Sequence, residues 1–214
     1  IPVAFGLLNP NGDDMIGTQM LQLKDRSEKF IFEHISSRPV PSILRNFSAP
    51  VRLITNLSEQ DLRFLMVHDS DGFNRWESAQ TLTLRLIGRM LDQMEVGHHA
   101  LVDRDYLESV TALIRQALDD QGDKALIARM LSLPDYAIIA QERAVVYPDH
   151  IHAVLTRIKY DILSECQGDL EKLYTKLNAP KAYRPDATAM AERTSSSEFS
   201  PPAPAPVIRP DSST

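Results

Sequence analysis

The apolar positions of this 214-residue chain change their spacing near residue 57. Before that point, short apolar segments are separated by turn-forming residues, which is typical of β-strands. After it, apolar residues recur every three or four positions, which is typical of amphipathic helices. The pattern therefore predicts a β-rich segment followed by an all-α segment.

The β-rich segment contains five predicted strands. The first covers residues 2–8, and the cluster Asn-Pro-Asn-Gly-Asp at 9–13 supplies the backbone conformations of a hairpin turn. The other predicted strands cover residues 18–24, 29–35, 40–47 and 51–56. Apolar side chains fall on both faces of the third strand, as in a sandwich covered on one side and partly on the other.

The all-α segment begins with a predicted capping box, because Ser58 is followed three residues later by Asp61. A short helix from this cap is expected to end at Val67, before a break at residues 68–72. A long helix follows and ends at Gly97. Further helices are predicted at 105–118, 123–132, 134–145 and 148–177, with Pro134 and Pro148 in first turns. Short-linked amphipathic helices of this kind predict a domain of packed helical hairpins.

Residues 194–214 differ from the rest of the chain, because they are rich in Ser and Pro and have no apolar period. Such a segment cannot bury enough apolar surface to offset the entropy lost on ordering. We therefore predict a disordered tail over these residues.

Composition and charge exclude several classes of function. The formal net charge is -6 and no basic stripe is present, which argues against a nucleic-acid partner. No apolar run approaches the ~18–20 residues that span a bilayer, so no membrane span is predicted. The single cysteine, Cys166, cannot form an internal disulfide, which suits a reducing compartment and predicts a cytoplasmic location.

Two clusters have the residue types of metal sites but not the required spacing. None of the six histidines begins the helical zinc motif H-E-x-x-H. His98 and His99 lie near Asp103, but adjacent side chains diverge, so a solvated helix end is the better interpretation. The stretch from Asp69 to Gly72 resembles a calcium loop, but its glycine is at the fourth position instead of the sixth. We interpret it as a turn and helix cap.

The remaining candidates have simpler structural interpretations. Cys166 lies on an amphipathic helix and is interpreted as a buried small hydrophobic residue, not as a nucleophile. Trp76 lies on an apolar helical stripe and is interpreted as core or interface. No glycine-rich phosphate loop or nucleophile elbow is present. We therefore predict no catalytic, cofactor-binding or metal-binding residue in this chain.

Two stretches carry a specific resemblance to a known family. They read RPVPSILRNFSAPVRL at residues 38–53 and DLRFLMVHDSDGFNRWESAQTL at residues 61–82. Both stretches resemble bacterial-type aminopeptidase N (alanyl aminopeptidase), a family of zinc metallopeptidases. The resemblance runs from about residue 1 to residue 190.

The resemblance implies an α+β multidomain fragment. In that family, a β domain and a thermolysin-like zinc domain precede a small β-sandwich and a large helical C-terminal domain. Residues 1–57 would form a partial immunoglobulin-like β-sandwich whose opening strands are missing, and residues 58–193 would form the first part of the helical domain. The family's zinc ligands, general-base glutamate and amine-recognition motif all lie upstream of the match.

The resemblance also implies a function and partners. The chain would be a non-catalytic portion of an enzyme that uses zinc to remove N-terminal residues from peptides. It would link domains, help to wall the substrate chamber and be inactive alone. Its partners would be the catalytic and N-terminal domains of the parent chain, and peptide substrates through that parent.

Two further hypotheses concern the whole chain. The alternative function is a stand-alone β-sandwich with a helical protein-interaction module, although the strands that would complete such a sandwich are not found. In addition, the family pattern stops abruptly after Arg193. We hypothesise that the tail from Thr194 results from a frameshift.

Overall fold

The computed structural model describes residues 1–119 and 123–178, so the predicted disordered tail at 194–214 lies outside the described residues. A three-stranded sheet comes first, a 3₁₀ turn follows at Arg45–Phe47, and helices make up the remainder. The strands are β1 Pro2–Leu8, β2 Asp14–Gln22 and β3 Val40–Ile43. The helices are α1 Glu59–His68, α2 Gly72–Glu95, α3 Arg104–Leu118, α4 Lys124–Leu131, α5 Tyr136–Gln141 and α6 Pro148–Leu177.

The sheet has the order β2-β1-β3, and both neighbouring pairs are antiparallel. The predicted first strand and hairpin turn are confirmed. In the turn, the side-chain oxygen of Asn9 accepts hydrogen bonds from the backbone N–H groups of Asn11 and Asp13. Gly12 has a φ of 93°, a left-handed conformation that glycine adopts without a steric penalty.

The other strand predictions need correction. The second strand begins at Asp14 instead of residue 18, and the strand predicted at 40–47 ends at Ile43 because Leu44 adopts a left-handed conformation. The strands predicted at 29–35 and 51–56 are wrong. A strand needs a neighbour that accepts and donates along its whole length. Neither segment forms backbone hydrogen bonds with the sheet, and segment 29–35 contacts it through side chains instead.

The side-chain contact of that segment is an aromatic pair. The rings of Phe5 and Phe32 are stacked, with centroids 4.9 Å apart. Phe5 is buried on β1, while Phe30 and Ile31 remain exposed. The apolar residues at 29–35 therefore reflect contact with a sheet face, not membership of the sheet.

The helix predictions are largely confirmed. The capping box at α1 is present: the Ser58 hydroxyl accepts from the Asp61 N–H, and the Asp61 carboxylate accepts from the Ser58 N–H, each at 3.1 Å. Pro148 occupies the first turn of α6, as expected. The helix predicted at 134–145 is shorter, because Asp135 is the residue before its first turn and Pro134 lies outside it.

The helices share one apolar core. The helix α2 packs against α1, α4 and α6, and α3 packs mainly against α6. On α2, the stripe predicted from the sequence contains the fully buried Leu82, Leu86 and Met90. Within residues 1–119 and 123–178, no helix has the length and apolarity needed to cross a bilayer.

Candidate functional site

A buried arginine lies where the sheet meets the helices. Arg45 follows β3 in a turn in which Leu44, Asn46 and Phe47 all have positive φ values, of 62°, 53° and 50°. A left-handed conformation costs about 1–2 kcal/mol for each residue with a side chain, so contacts elsewhere must hold this turn. The turn directs Arg45 into the interior, where only 2% of the residue is exposed.

All five N–H groups of the Arg45 guanidinium have acceptors. Nε donates to Ser42 Oγ at 2.8 Å, and Nη1 donates to Asp14 Oδ2 at 3.1 Å and Thr18 Oγ1 at 3.0 Å. Nη2 donates to Asp14 Oδ1 at 2.5 Å and to Asp69 Oδ1 at 3.4 Å. A buried cation is tolerated only when it is paired in this way.

These acceptors come from both parts of the molecule. Asp14 and Thr18 belong to β2 and Ser42 to β3, whereas Asp69 lies in the loop between α1 and α2. The guanidinium therefore joins the sheet to the helices through hydrogen bonds and opposite charge.

Residues of the same loop and of the first turn of α2 make further contacts between the sheet and the helices. The Asp71 carboxylate accepts from the backbone N–H of Asn46 at 2.8 Å and from that of Asn74, in the first turn of α2, at 2.9 Å. The side-chain amide of Asn74 donates to Ser42 Oγ at 2.7 Å. We name this set the joint cluster, and its members are Asp14, Ser42, Arg45, Asp69, Asp71 and Asn74.

The carboxylates of the joint cluster differ in their electrostatic environment. The hydrogen bond from Arg45 lowers the pKa of Asp14. Burial raises the pKa of Asp69, and the nearby Ser42 hydroxyl and the Arg45 charge counteract only part of that increase. The geometry leaves Asp69 Oδ2 buried without a well-formed hydrogen bond among the described residues. Asp14 therefore depends most directly on Arg45, whereas Asp69 is held by the Asp71 N–H as well as by the Arg45 charge.

The joint cluster is suited to holding two parts together and not to chemistry on a substrate. Arg45, Asp69 and Asp71 are 2%, 4% and 8% exposed, so no substrate reaches them. Arginine also stays protonated in proteins, so it cannot exchange a proton with a reacting group.

The residues considered as metal ligands are not brought together. His98 and His99 are exposed beyond the end of α2, and Asp103 forms an ion pair with Arg89 instead of approaching either histidine. Among the described residues, no group of three His, Cys, Asp or Glu side chains could hold a metal ion. The absence of site residues from the whole chain stays a prediction.

The structure also places Cys166 and the Asp69–Gly72 stretch. Cys166 is 2% exposed, its sulfur lies 3.2 Å from the Thr111 hydroxyl, and burial raises the pKa of the thiol. The predicted helix cap is confirmed, because the Asp71 side chain caps α2. The burial of Asp69 and its link to Arg45 were not foreseen. In the sequence, the sign of this link was a single arginine, Arg45, among the apolar residues that follow β3.

Comparisons with known proteins identify both parts of the chain. Residues 1–56 match the family model described as a domain of unknown function (DUF3458) with an Ig-like fold. Residues 59–197 match the model described as a domain of unknown function (DUF3458_C) with ARM repeats. The chain belongs to the DUF3458_C family. The predicted fold class, an immunoglobulin-like segment followed by a helical one, is confirmed.

Curated relatives of this DUF3458_C chain are named aminopeptidase N, which confirms the resemblance. The protein from Escherichia coli is 29% identical over 175 residues, covering 82% of this chain and 20% of that protein. The protein from Caulobacter vibrioides is 31% identical over 192 residues, covering 89% of this chain and 21% of that protein. This DUF3458_C chain thus spans about a fifth of the length of these relatives.

A solved structure supports the fold of the DUF3458_C chain. The aminopeptidase A of Legionella pneumophila, crystallised in complex with aspartic acid, aligns with a TM-score of 0.78 and 24% identity. The alignment covers 93% of this chain and 23% of that one.

Replacing Arg45 with Met should destabilise the protein by about 3–5 kcal/mol, because it leaves the buried Asp69 carboxylate without the Arg45 charge and removes two hydrogen bonds to Asp14. Urea unfolding measures this change. Adding Asp69→Asn to Arg45→Met should recover part of the loss, since the uncompensated charge is then removed. Arg52→Ala is the control, because Arg52 forms only an exposed ion pair with Glu142 and should cost about 1 kcal/mol or less. Equal losses at Arg45 and Arg52 would contradict the prediction.

Gly6→Ala should displace the same guanidinium. A Cβ at Gly6 would lie 2.2 Å from Cζ of Arg45, whose five hydrogen bonds prevent it from moving away. We expect a loss of about 1–3 kcal/mol in thermal unfolding, which is typical of overpacking. Gly17→Ala, in the neighbouring strand, is the matched control because its Cβ would meet nothing within 4 Å. The prediction fails if both variants unfold at the same temperature.

The contribution of His68 to folding should become less favourable as the pH falls below about 6.5, the ordinary pKa of histidine. Burial, and then the charge of Arg75, lower the pKa of His68 in the folded protein. The unfolded chain therefore takes up a proton at a pH where folded His68 does not, which favours unfolding. Urea unfolding at pH 7.5 and 5.5 measures this effect. Between these pH values the unsubstituted 214-residue chain should lose more free energy of unfolding than His68→Gln does. A difference that is independent of pH would exclude the effect.

Proposed function

We propose that this chain is a non-catalytic portion of a zinc aminopeptidase N, an enzyme that removes N-terminal residues from peptides. The observation that carries the proposal is the match to relatives named aminopeptidase N over 82% and 89% of this chain. The match covers only about a fifth of each relative. Most of such an enzyme, including its chemistry, would therefore lie in other residues.

The role of this portion would be architectural. Residues 1–57 would be the sandwich part and residues 58–193 the first part of the helical domain, with residues from 194 onward as a separate tail. The joint cluster would fix the angle between the first two parts, since its hydrogen bonds tie β2, β3 and the α1–α2 loop together. With that angle fixed, the helices would hold a constant position as one wall of the substrate chamber.

The zinc of the parent enzyme would be bound by residues outside this chain. The described residues offer no suitable cluster of His, Cys, Asp or Glu side chains, so they do not fit the metal. In the parent, zinc would activate a water molecule for attack on the first peptide bond. The partners of this chain would then be the catalytic and N-terminal domains of the same polypeptide, in the cytoplasm.

The coding DNA tests this proposal together with two protein products. One is the 214-residue chain, and the other, the long product, is the protein encoded by the whole reading frame that contains it. We expect the reading frame that contains these residues to encode an upstream H-E-x-x-H motif. The long product should bind zinc and release 4-nitroaniline from alanine 4-nitroanilide, whereas the 214-residue chain should do neither. Zinc binding with hydrolysis by the 214-residue chain would overturn the non-catalytic assignment. A frame without the zinc motif would favour the alternative, a stand-alone sandwich and helical interaction module.

A further inference from the structure

A groove of about 520 Å³ runs along one face of α2. Its floor is a stripe on that helix formed by Phe73, Glu77, Thr81, Arg85 and Gly88, and it is about 22 Å long at the helical rise of about 1.5 Å per residue. One wall is the extended segment at residues 51–57, and α5 closes one side. A volume of this size holds several side chains, within the range of about 300–1,000 Å³ found for binding pockets.

The groove is bordered by large apolar side chains that face solvent. Phe47 is 52% exposed and Ile54 is 85% exposed, and Val51 and Leu53 are also exposed. Exposed apolar residues are ordinary when they are scattered, but a contiguous set around a groove is typical of an interaction surface. This rim therefore indicates that another protein segment covers the groove.

The charges in the groove indicate the chemistry of that segment. The arginines that line it already have partners. Arg52 pairs with Glu142 and Arg143 with Asp92 and Glu95, whereas Arg85 donates to the uncharged Leu57 carbonyl. Glu77 differs, because no hydrogen bond or ion pair within the described residues reaches its carboxylate. It is half-buried in the floor, and burial raises its pKa.

We propose that this groove binds a segment of the parent polypeptide, outside this chain, that presents apolar side chains and one Lys or Arg side chain to Glu77. The proposal rests on the proposed function, because it takes its occupant from the four-fifths of the aminopeptidase N relatives that this chain does not match. Partial burial disfavours the charged form of Glu77, which no basic group among the described residues offsets. A basic group from the incoming segment removes that cost, and the apolar rim supplies the hydrophobic contact area.

Two pairs of variants separate the groove from the rest of the surface. Glu77→Lys reverses the unpaired charge, and Glu165→Lys makes the same change on the exposed face of α6. Gly88→Leu fills the groove, and Gly168→Leu adds the same side chain to α6. A Cβ at Gly88 or Gly168 would meet nothing within 4 Å, so neither substitution should disturb the 214-residue chain itself.

The experiment measures each variant in the long product and in the 214-residue chain. In the long product, the activity toward alanine 4-nitroanilide should be lost faster at elevated temperature when Glu77→Lys or Gly88→Leu is present. The half-life of that activity should be about tenfold shorter, or more, than in the α6 controls. Such a factor corresponds to about 1.4 kcal/mol. In the 214-residue chain, each groove variant should melt no lower than its control, because no occupant is displaced from the groove there.

Several results would overturn the proposal, and they are distinguishable. If the long product is active but its groove variants behave like the controls, the groove proposal fails and the proposed function stands. If no zinc aminopeptidase contains this chain, both fail. If the 214-residue chain dimerises in sedimentation and Glu77→Lys abolishes the dimer, the occupant is a second copy. If deleting residues 179–214 abolishes the effect of the groove variants, the occupant is the chain's own C-terminal segment.

Discussion

The structure depends on one buried guanidinium. Arg45 has five N–H groups and five acceptors, and a buried cation with fewer acceptors would be strongly unfavourable. This requirement fixes the surrounding backbone. Asp14 and Thr18 both reach the guanidinium from β2, whose register against β1 shifts twice between Asp14 and Gln19. The α1–α2 loop must deliver Asp69, and Leu44 and its neighbours must adopt left-handed conformations to bring Arg45 inward.

Most residues of the joint cluster fall within the two stretches that resemble aminopeptidase N. The first of the two distinctive stretches, residues 38–53, contains Ser42 and Arg45. The second, residues 61–82, contains Asp69, Asp71 and Asn74. The stretches that make the chain recognisable therefore provide both sides of the joint cluster. In the structure, the two stretches contact each other through these residues.

The sequence predicted the helices better than the sheet, for a physical reason. A helix start is a local event, so the Ser58 capping box and Pro148 mark the beginnings of α1 and α6 within a few residues. A strand exists only beside a partner, and the partner can lie anywhere in the chain. Segment 29–35 has the apolar residues of a strand but contacts the sheet only through side chains such as Phe32. Its apolar residues alone could not show which kind of contact it makes.

The joint cluster was unpredictable for a related reason. The ion pairs of Arg45 join residues 24 and 31 positions apart, and nothing in the local pattern connects them. The helix cap at Asp71 was foreseen because its partner, Asn74, is three residues away. The neighbouring Asp69 was grouped with it as part of a turn and helix cap, which does not indicate that its side chain is buried beside Arg45. Short-range hydrogen bonds can thus be predicted from a sequence, whereas long-range ion pairs cannot.

Three neighbouring aromatic rings lie where the turn after β3 meets α2. The Phe47 and Phe73 rings have centroids 5.2 Å apart, and those of Phe73 and Trp76 are 6.0 Å apart. Trp76 is the single tryptophan of the sequence and packs against the helical core. Its emission therefore comes from one known place, next to the contact between sheet and helices. The tryptophan emission spectrum should therefore change when the sheet separates from the helices as well as when the core melts.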